Sequence, residues 1–328
     1  MKTKTWWALW LVWSILGAGL LVMVVRDKGV PPAPLSWAAL LLGMAPLIGA
    51  QLALGSPRAA TVVRDWLQQS PRAWLVAAGG LSALYLASNI LTPGFDPYAA
   101  TIFIVGLVAA LGTLRQIQKG QSGLTWADAL VWLWLWIPFD LRWNYDLWHG
   151  PKGFAYNWWA VMLTVVAVLG WYGLRELPAF GYRLTPRWRD LGIAVVAMVV
   201  FAAIVIPLGL AVRFLTFPPT QLLALLAHFV GLFLTVALPE EMFFRGILLH
   251  GLDQMSTRRG WTLFLSALAF GLMHWNNAGD LGTKVVYVAL ATLAGVFYGW
   301  AYRRSGNNLL APVLTHTFVD LIWRVLFQ

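Results

Sequence analysis

Eleven apolar runs, each long enough to cross the hydrocarbon core of a bilayer or nearly so, follow one another through this chain and leave few folds open to it. They cover Trp6 to Val25, Leu35 to Leu54, Ala73 to Leu91, Pro97 to Leu114, Leu124 to Phe139, Trp158 to Leu174, Leu191 to Val212, Leu222 to about Leu249, Trp261 to His274, Val285 to Tyr302 and Leu309 to Phe327. Inside a bilayer no water reaches the backbone N–H and C=O groups, so a spanning segment satisfies them within itself, as a helix does. The fold class expected is all-α: a polytopic integral membrane protein of about 10–11 transmembrane helices, the fifth and ninth runs being the shortest. Composition agrees, since 60% of the residues are hydrophobic and only 11% charged, far from the quarter-charged average of soluble domains. Lys2 and Lys4 ahead of the first run resemble the start of a signal peptide. That run, however, has about twenty residues and no small-x-small cleavage site, so it reads as an uncleaved span.

The net charge of +10 does not point to nucleic acid, because Lys and Arg are scattered through short loops and form no basic stripe interleaved with aromatics. It reads as topology. With a cytoplasmic N-terminus, alternate loops hold 15 basic residues and the opposite loops with the C-terminal end hold 7, leaving Arg245 inside the membrane. The location expected is the plasma (inner) membrane. The tryptophans cluster near the ends of the runs, as in Trp6-Trp7, Trp158-Trp159 and Trp132 to Trp136, and read as headgroup anchors. Asp140, Arg142, Asp146 and Lys152 read as a solvated external loop, with folding over a cavity mouth as the alternative. The polar, basic segment Tyr182 to Asp190, with Pro186, suggests an interfacial linker. It divides residues 1–182, a transmembrane region to which no role is assigned, from a C-terminal half, 183–328. Ala291, Gly295 and Gly299 recur every four residues, a stripe that lets another helix approach closely.

Cysteine is absent, so thiolate ligands and a cysteine nucleophile are excluded, and chemistry falls to carboxylates, histidines or hydroxyls. The eighth run contains Leu238-Pro239-Glu240-Glu241-Met242-Phe243-Phe244-Arg245-Gly246, and an ionised side chain at bilayer depth costs about 3 kcal/mol or more. On a helix Glu241 and Arg245 share a face, which makes Glu241 the partner of the arginine and leaves Glu240 free for chemistry. Pro239 donates no backbone hydrogen bond, which releases the carbonyl of Thr235 and loosens the helix there. Two further polar insertions follow, Phe270-Gly-Leu-Met-His274 and His316-Thr-Phe-Val-Asp320; His316 and Asp320 share a helix face. Counted from the basic loops, Glu240, His274 and His316 each lie on the order of 15 to 22 Å from one and the same face. His149, His228 and His250 lack such company and are given no role.

A carboxylate with an imidazole can hold and deprotonate a water, while a second imidazole and its neighbour stabilise an oxyanion, which together amount to peptide hydrolysis by activated water. The zinc helix His-Glu-x-x-His, the Gly-x-Ser-x-Gly elbow and the intramembrane aspartyl signature are all missing. Glu240, His274, His316 and Asp320 would also suit zinc, so the cofactor expectation is none, with Zn as the alternative.

The ordered set Glu240-Glu241-x-x-x-Arg245, Phe270-x-x-x-His274 and His316-x-x-x-Asp320 resembles the three-motif pattern of the CAAX-processing and bacteriocin-processing (CPBP) intramembrane proteases, the Abi or type II CAAX prenyl endopeptidase family. The resemblance covers roughly Arg183 to Gln328. It implies a helical membrane endopeptidase with a cavity open to the cytoplasm. By motif position, Glu240 would activate water with help from His274, His316 with residue 320 would form the oxyanion hole, and Glu241, Arg245 and Phe270 would support the site. Asp320 stands where the eukaryotic and archaeal CAAX endopeptidases have Asn, and an ionised Asp accepts hydrogen bonds without donating them. Either it is protonated or it orients His316, and orientation is the expectation. The partners expected are the lipid bilayer and a peptide or protein substrate, lipidated or not, with no nucleic acid. The rivals are a non-proteolytic membrane scaffold or bacteriocin-immunity-type protein, and a proton-coupled transporter using Glu240, His274 and His316 as a relay.

Overall fold

A computed structural model of the chain describes residues 3–27, 34–90, 92, 95–148, 153–212, 214 and 225–326. Of the residues named above, Lys2, Leu91, His149, Lys152, Leu222, Phe327 and Gln328 lie outside the described residues. The chain divides into two compact units, Met1–Pro178 and Ala179–Gln328, and it is all-α, with helices from end to end of the described residues.

The first unit holds α1 (Thr3–Asp27), α2 (Pro34–Leu54), α3 (Pro57–Gln69), α4 (Ala73–Ile90), α5 (Pro97–Gln116), α6 (Trp126–Asp140) and α7 (Ala155–Leu174). The second holds α8 (Trp188–Ala211), α9 (Leu225–Met255), α10 (Arg259–Leu272), α11 (Leu281–Arg304) and α12 (Leu310–Leu326). Within the described residues every apolar run coincides with a helix, and seven of the described helices are long and apolar enough to cross a membrane: α2, α4, α5, α7, α8, α9 and α11. This makes the chain a polytopic membrane protein. The fifth and ninth runs became α6 and α10, of 15 and 14 residues. At 1.5 Å per residue these extend about 21 to 23 Å, short of a hydrocarbon core of about 30 Å.

Hydropathy gave no sign of α3. It buries Ala59, Ala60, Val63 and Leu67 on one face, the period of an amphipathic helix lying against the bundle. The first unit is also fastened by an ion pair that spacing could not indicate. Arg175 and Asp128, both with fully buried side chains, meet at 3.1 Å, and the guanidinium also donates to the carbonyls of Gln121 and Gly123 at 2.6 and 2.7 Å. The anchoring expected of the tryptophans fails for Trp132, Trp136, Trp158 and Trp159, which are buried. Trp158 and Trp159 meet each other edge-on at 4.9 Å and Trp148 stacks on Trp158 at 5.7 Å, so these indoles pack the unit's interior. The Asp140 to Asp146 loop is pinned to the helices of its own unit, where the Tyr85 hydroxyl donates to the Leu147 carbonyl at 2.5 Å.

In the second unit the segment expected as a linker is held at both ends. Leu309 N–H donates to the Gly181 carbonyl at 3.0 Å, and the buried Asp190 accepts from Asn308 Nδ2 at 2.7 Å. The helix α9 is not regular. Around Pro239 it widens into π-helical turns, Phe233–Ala237 before the carboxylates and Met242–Leu249 after them, as a proline that cannot donate to the residue four back encourages. Ser266 Oγ donates to the Phe244 carbonyl within the second wide turn at 2.8 Å, tying α10 to it. At the basic end of the unit Asp253 of α9 accepts two bonds from Arg303 of α11, at 2.7 and 2.9 Å, and pairs with Arg259 of α10 at 3.0 Å. The small-residue stripe of α11 lies against α10: a Cβ added at Gly295 would sit 2.9 Å from the Cα of Ala267 and 3.1 Å from its Cβ.

That contact leaves no room for a side chain. Gly295→Val should lower stability by about 1–3 kcal/mol through overpacking, read as an earlier thermal unfolding transition in detergent micelles. Gly279→Ala, where an added Cβ meets nothing within 4 Å, should leave the transition within about 0.5 kcal/mol of wild type.

Candidate active site

Three motifs from three helices converge on one imidazole. Glu240, Glu241 and Arg245 come from the widened part of α9, Phe270 and His274 from the end of α10, and His316 and Asp320 from α12. Glu241 Oε1 accepts from Arg245 Nη1 at 2.9 Å and lies 2.9 Å from His316 Nδ1, so a single carboxylate oxygen holds both. Arg245 Nη2 donates to the Gly295 carbonyl of α11 at 3.0 Å. The guanidinium also sits over two aromatic rings, 4.4 Å from the centre of Phe270 and 5.2 Å from that of Tyr298, contacts worth about 2 kcal/mol when desolvated. These contacts explain how the fully buried Arg245 is tolerated where a lone charge would not be.

The other nitrogen of His316 faces two more carboxylates. Its Nε2 lies 3.4 Å from Asp320 Oδ2 and 3.8 Å from Glu240 Oε2. The side chains of Glu241 and Arg245 have no exposure and that of His316 has 4%, whereas those of Glu240 and Asp320 retain 12% and 29%. Glu240 and Asp320 therefore line the open side of the cluster, and Glu241 and Arg245 form its floor. Expectation and structure agree that Glu241 pairs with Arg245. The expected orienting role of Asp320 has a competitor: Glu241 grips Nδ1, while Asp320 faces Nε2, the nitrogen that points to the open side.

His274 joins the group through Phe270. Its Nδ1 is 2.9 Å from the Phe270 carbonyl, which can only accept, so Nδ1 carries the proton and Nε2 is the basic nitrogen. The Phe270 ring meets His274 at 4.7 Å and His316 edge-on at 5.7 Å. Tyr287 of α11 stacks on His274 at 5.5 Å. His250 meets Tyr302 edge-on and His228 lies half-buried early in α9. Among the described residues no group of three His, Asp or Glu side chains is arranged to hold a metal ion. Of the residues named as the alternative zinc set, Glu240 and Asp320 face His316 Nε2 at 3.8 and 3.4 Å, while His316 Nδ1 is held by Glu241.

Sequence reasoning missed the contribution of α11. Gly295 was legible as packing, but that its carbonyl receives Arg245 was not, and Tyr287 and Tyr298 look like ordinary residues of an apolar helix. The signal that was present is spacing: Tyr298 lies three residues after Gly295, on the same helix face.

Residues 220–322, less than half of the chain, match the family described as "Type II CAAX prenyl endopeptidase Rce1-like", and all the motif residues fall inside that stretch. "Uncharacterized protein YpbD" of Bacillus subtilis (strain 168) is 28% identical over 96 residues, 29% of this chain and 43% of that protein. The chain thus spans less than half the length of this curated relative. No solved structure matches. The resemblance carried by the three motifs therefore stands on a comparison of the surrounding sequence as well.

Removing one partner of a buried charge pair strands the other. Glu241→Ala should destabilise the protein by about 3 kcal/mol or more, seen as a lowered thermal transition, whereas exchanging the more exposed Asp320 for Asn should change it by under about 1 kcal/mol.

Proposed function

We propose that the protein is an intramembrane endopeptidase whose catalytic domain spans residues 183–328 and which hydrolyses a peptide bond near the cytoplasmic face of the plasma (inner) membrane, with its own N-terminus cytoplasmic. Its substrate is a peptide or protein held at the bilayer, and a lipidated C-terminal segment is the first candidate. The observation that carries this function is the convergence of Glu240, Glu241 and Asp320 on His316, with Phe270 joining His274 to the group and the two more accessible carboxylates on the open side.

Glu240 takes a proton from a water as its oxygen attacks the carbonyl carbon, and His274, through Nε2, helps to hold that water. His316, with a proton on each nitrogen, donates Nδ1–H to Glu241 and offers Nε2–H to the developing oxyanion. Asp320 occupies Nε2 at rest and yields it to the substrate oxygen. Collapse of the tetrahedral species breaks the C–N bond, and the proton held by Glu240 passes to the leaving amine. No covalent enzyme intermediate forms and no metal is needed.

The scaffold and proton-relay rivals make different demands on the same residues. With purified protein and a fluorogenic farnesylated CAAX peptide, Glu240→Gln and His274→Ala should each lower kcat by at least about 100-fold while remaining folded, and chelator should leave wild type unaffected. Loss of wild-type activity with chelator would assign the site to a metal. Cleavage surviving both substitutions would remove Glu240 and His274 from the mechanism. Proton flux in liposomes without peptide product would instead favour the relay.

A further inference from the structure

The helix α11 bears none of the three motifs, yet it supplies two of the contacts that shape the site. Gly295 offers its carbonyl to Arg245. One turn later on the same face, Tyr298, which is 1% exposed, lays its ring parallel to His316, with centroids 4.5 Å apart and planes 17° from parallel. Phe270 meets the same imidazole edge-on, at 86°, and meets Tyr298 at 5.8 Å.

A hydrogen bond at Nδ1 fixes one point of an imidazole. The ring still rocks about its Cβ–Cγ bond within the tolerance of that hydrogen bond, and the direction of Nε2 rocks with it. A parallel ring against its face removes that freedom, and an edge-on ring closes the remaining side. From these contacts we infer that Tyr298 is a positioning residue for His316, setting the ring plane so that Nε2 faces Asp320 and the open side of the site. Tyr298 touches no reacting atom. What it contributes is the parallel face, which a phenylalanine provides equally.

This rests on the endopeptidase function proposed above, so the test needs one readout that does not require cleavage. The chain has five histidines, and the ring signal of His316 in histidine-labelled protein is identified by its loss in His316→Gln. In wild type the Tyr298 ring current should displace that signal. Tyr298→Phe should keep the displacement, while Tyr298→Leu, and Tyr298→Met as a more adaptable replacement should the leucine variant not fold, should abolish it. In cleavage assays the same two variants should lose about 10- to 100-fold in kcat, with KM within about twofold, as expected when a catalytic group is misdirected by a fraction of an ångström to an ångström. Tyr298→Phe should restore kcat to within about threefold of wild type. An unmoved His316 signal in the folded leucine or methionine variant overturns the inference, and so does a moved signal with unchanged kcat. If the signal moves as expected and wild type cuts nothing, the stacking of Tyr298 on His316 stands and the endopeptidase function falls.

Discussion

The second unit is organised around a carboxylate oxygen that has two partners. Glu241 Oε1 binds the guanidinium of Arg245 on its own helix and the imidazole of His316 on α12, each at 2.9 Å, and through Arg245 it reaches the backbone of α11. Three buried ionisable groups among apolar helices would each be costly alone. Placed on one oxygen they compensate one another, and the geometry that compensates them is the one that aims His316 Nε2 at the accessible carboxylates. Stability and function are therefore not separable at this point: the floor of the site is part of the reason the helices α9, α11 and α12 stay together.

Getting those groups to one place needs departures from regular helix. A straight α-helix would carry Glu240 and Glu241 past each other by about 100°, and Pro239 interrupts the bonding ladder just ahead of them. The π-turns on either side absorb that interruption, and Ser266 uses a carbonyl in the second of them to fasten α10. The glycine at 295 has two tasks at once. Without a side chain it lets α11 approach Ala267 closely, and it leaves its carbonyl open to the arginine.

Much of this was legible in the chain itself. Run length gave the helices and their class; the estimate of spans exceeds the described helices long and apolar enough to cross at α1, α6, α10 and α12. The Glu241–Arg245 pair followed from spacing, and the loosening at Pro239 from the missing N–H. The amphipathic α3 escaped notice because its charged face dilutes its hydropathy, and the buried tryptophans were misread because an indole near the end of a run can turn inward as readily as outward. The pairing of Asp128 with Arg175 joins residues far apart in sequence, beyond the reach of any local pattern. In the site, the motif residues named from the sequence lie together around His316, but which carboxylate holds which nitrogen of His316 depended on the packing of α12 against α9. The part played by α11 has no motif at all.

The claim that a shared oxygen sets the site is tested most directly at Arg245, which meets no substrate in this account. Lysine retains the charge but presents a single nitrogen, unable to bridge Glu241 Oε1 and the Gly295 carbonyl as the planar fork does. The measurement is kcat for cleavage of a membrane-anchored peptide by wild type and Arg245→Lys, with thermal unfolding of both. The account predicts a folded variant whose kcat falls by about 100-fold with little change in KM. A folded Arg245→Lys protein that turns over like wild type would contradict it, because His316 would then be aimed by something other than the oxygen it shares with Arg245.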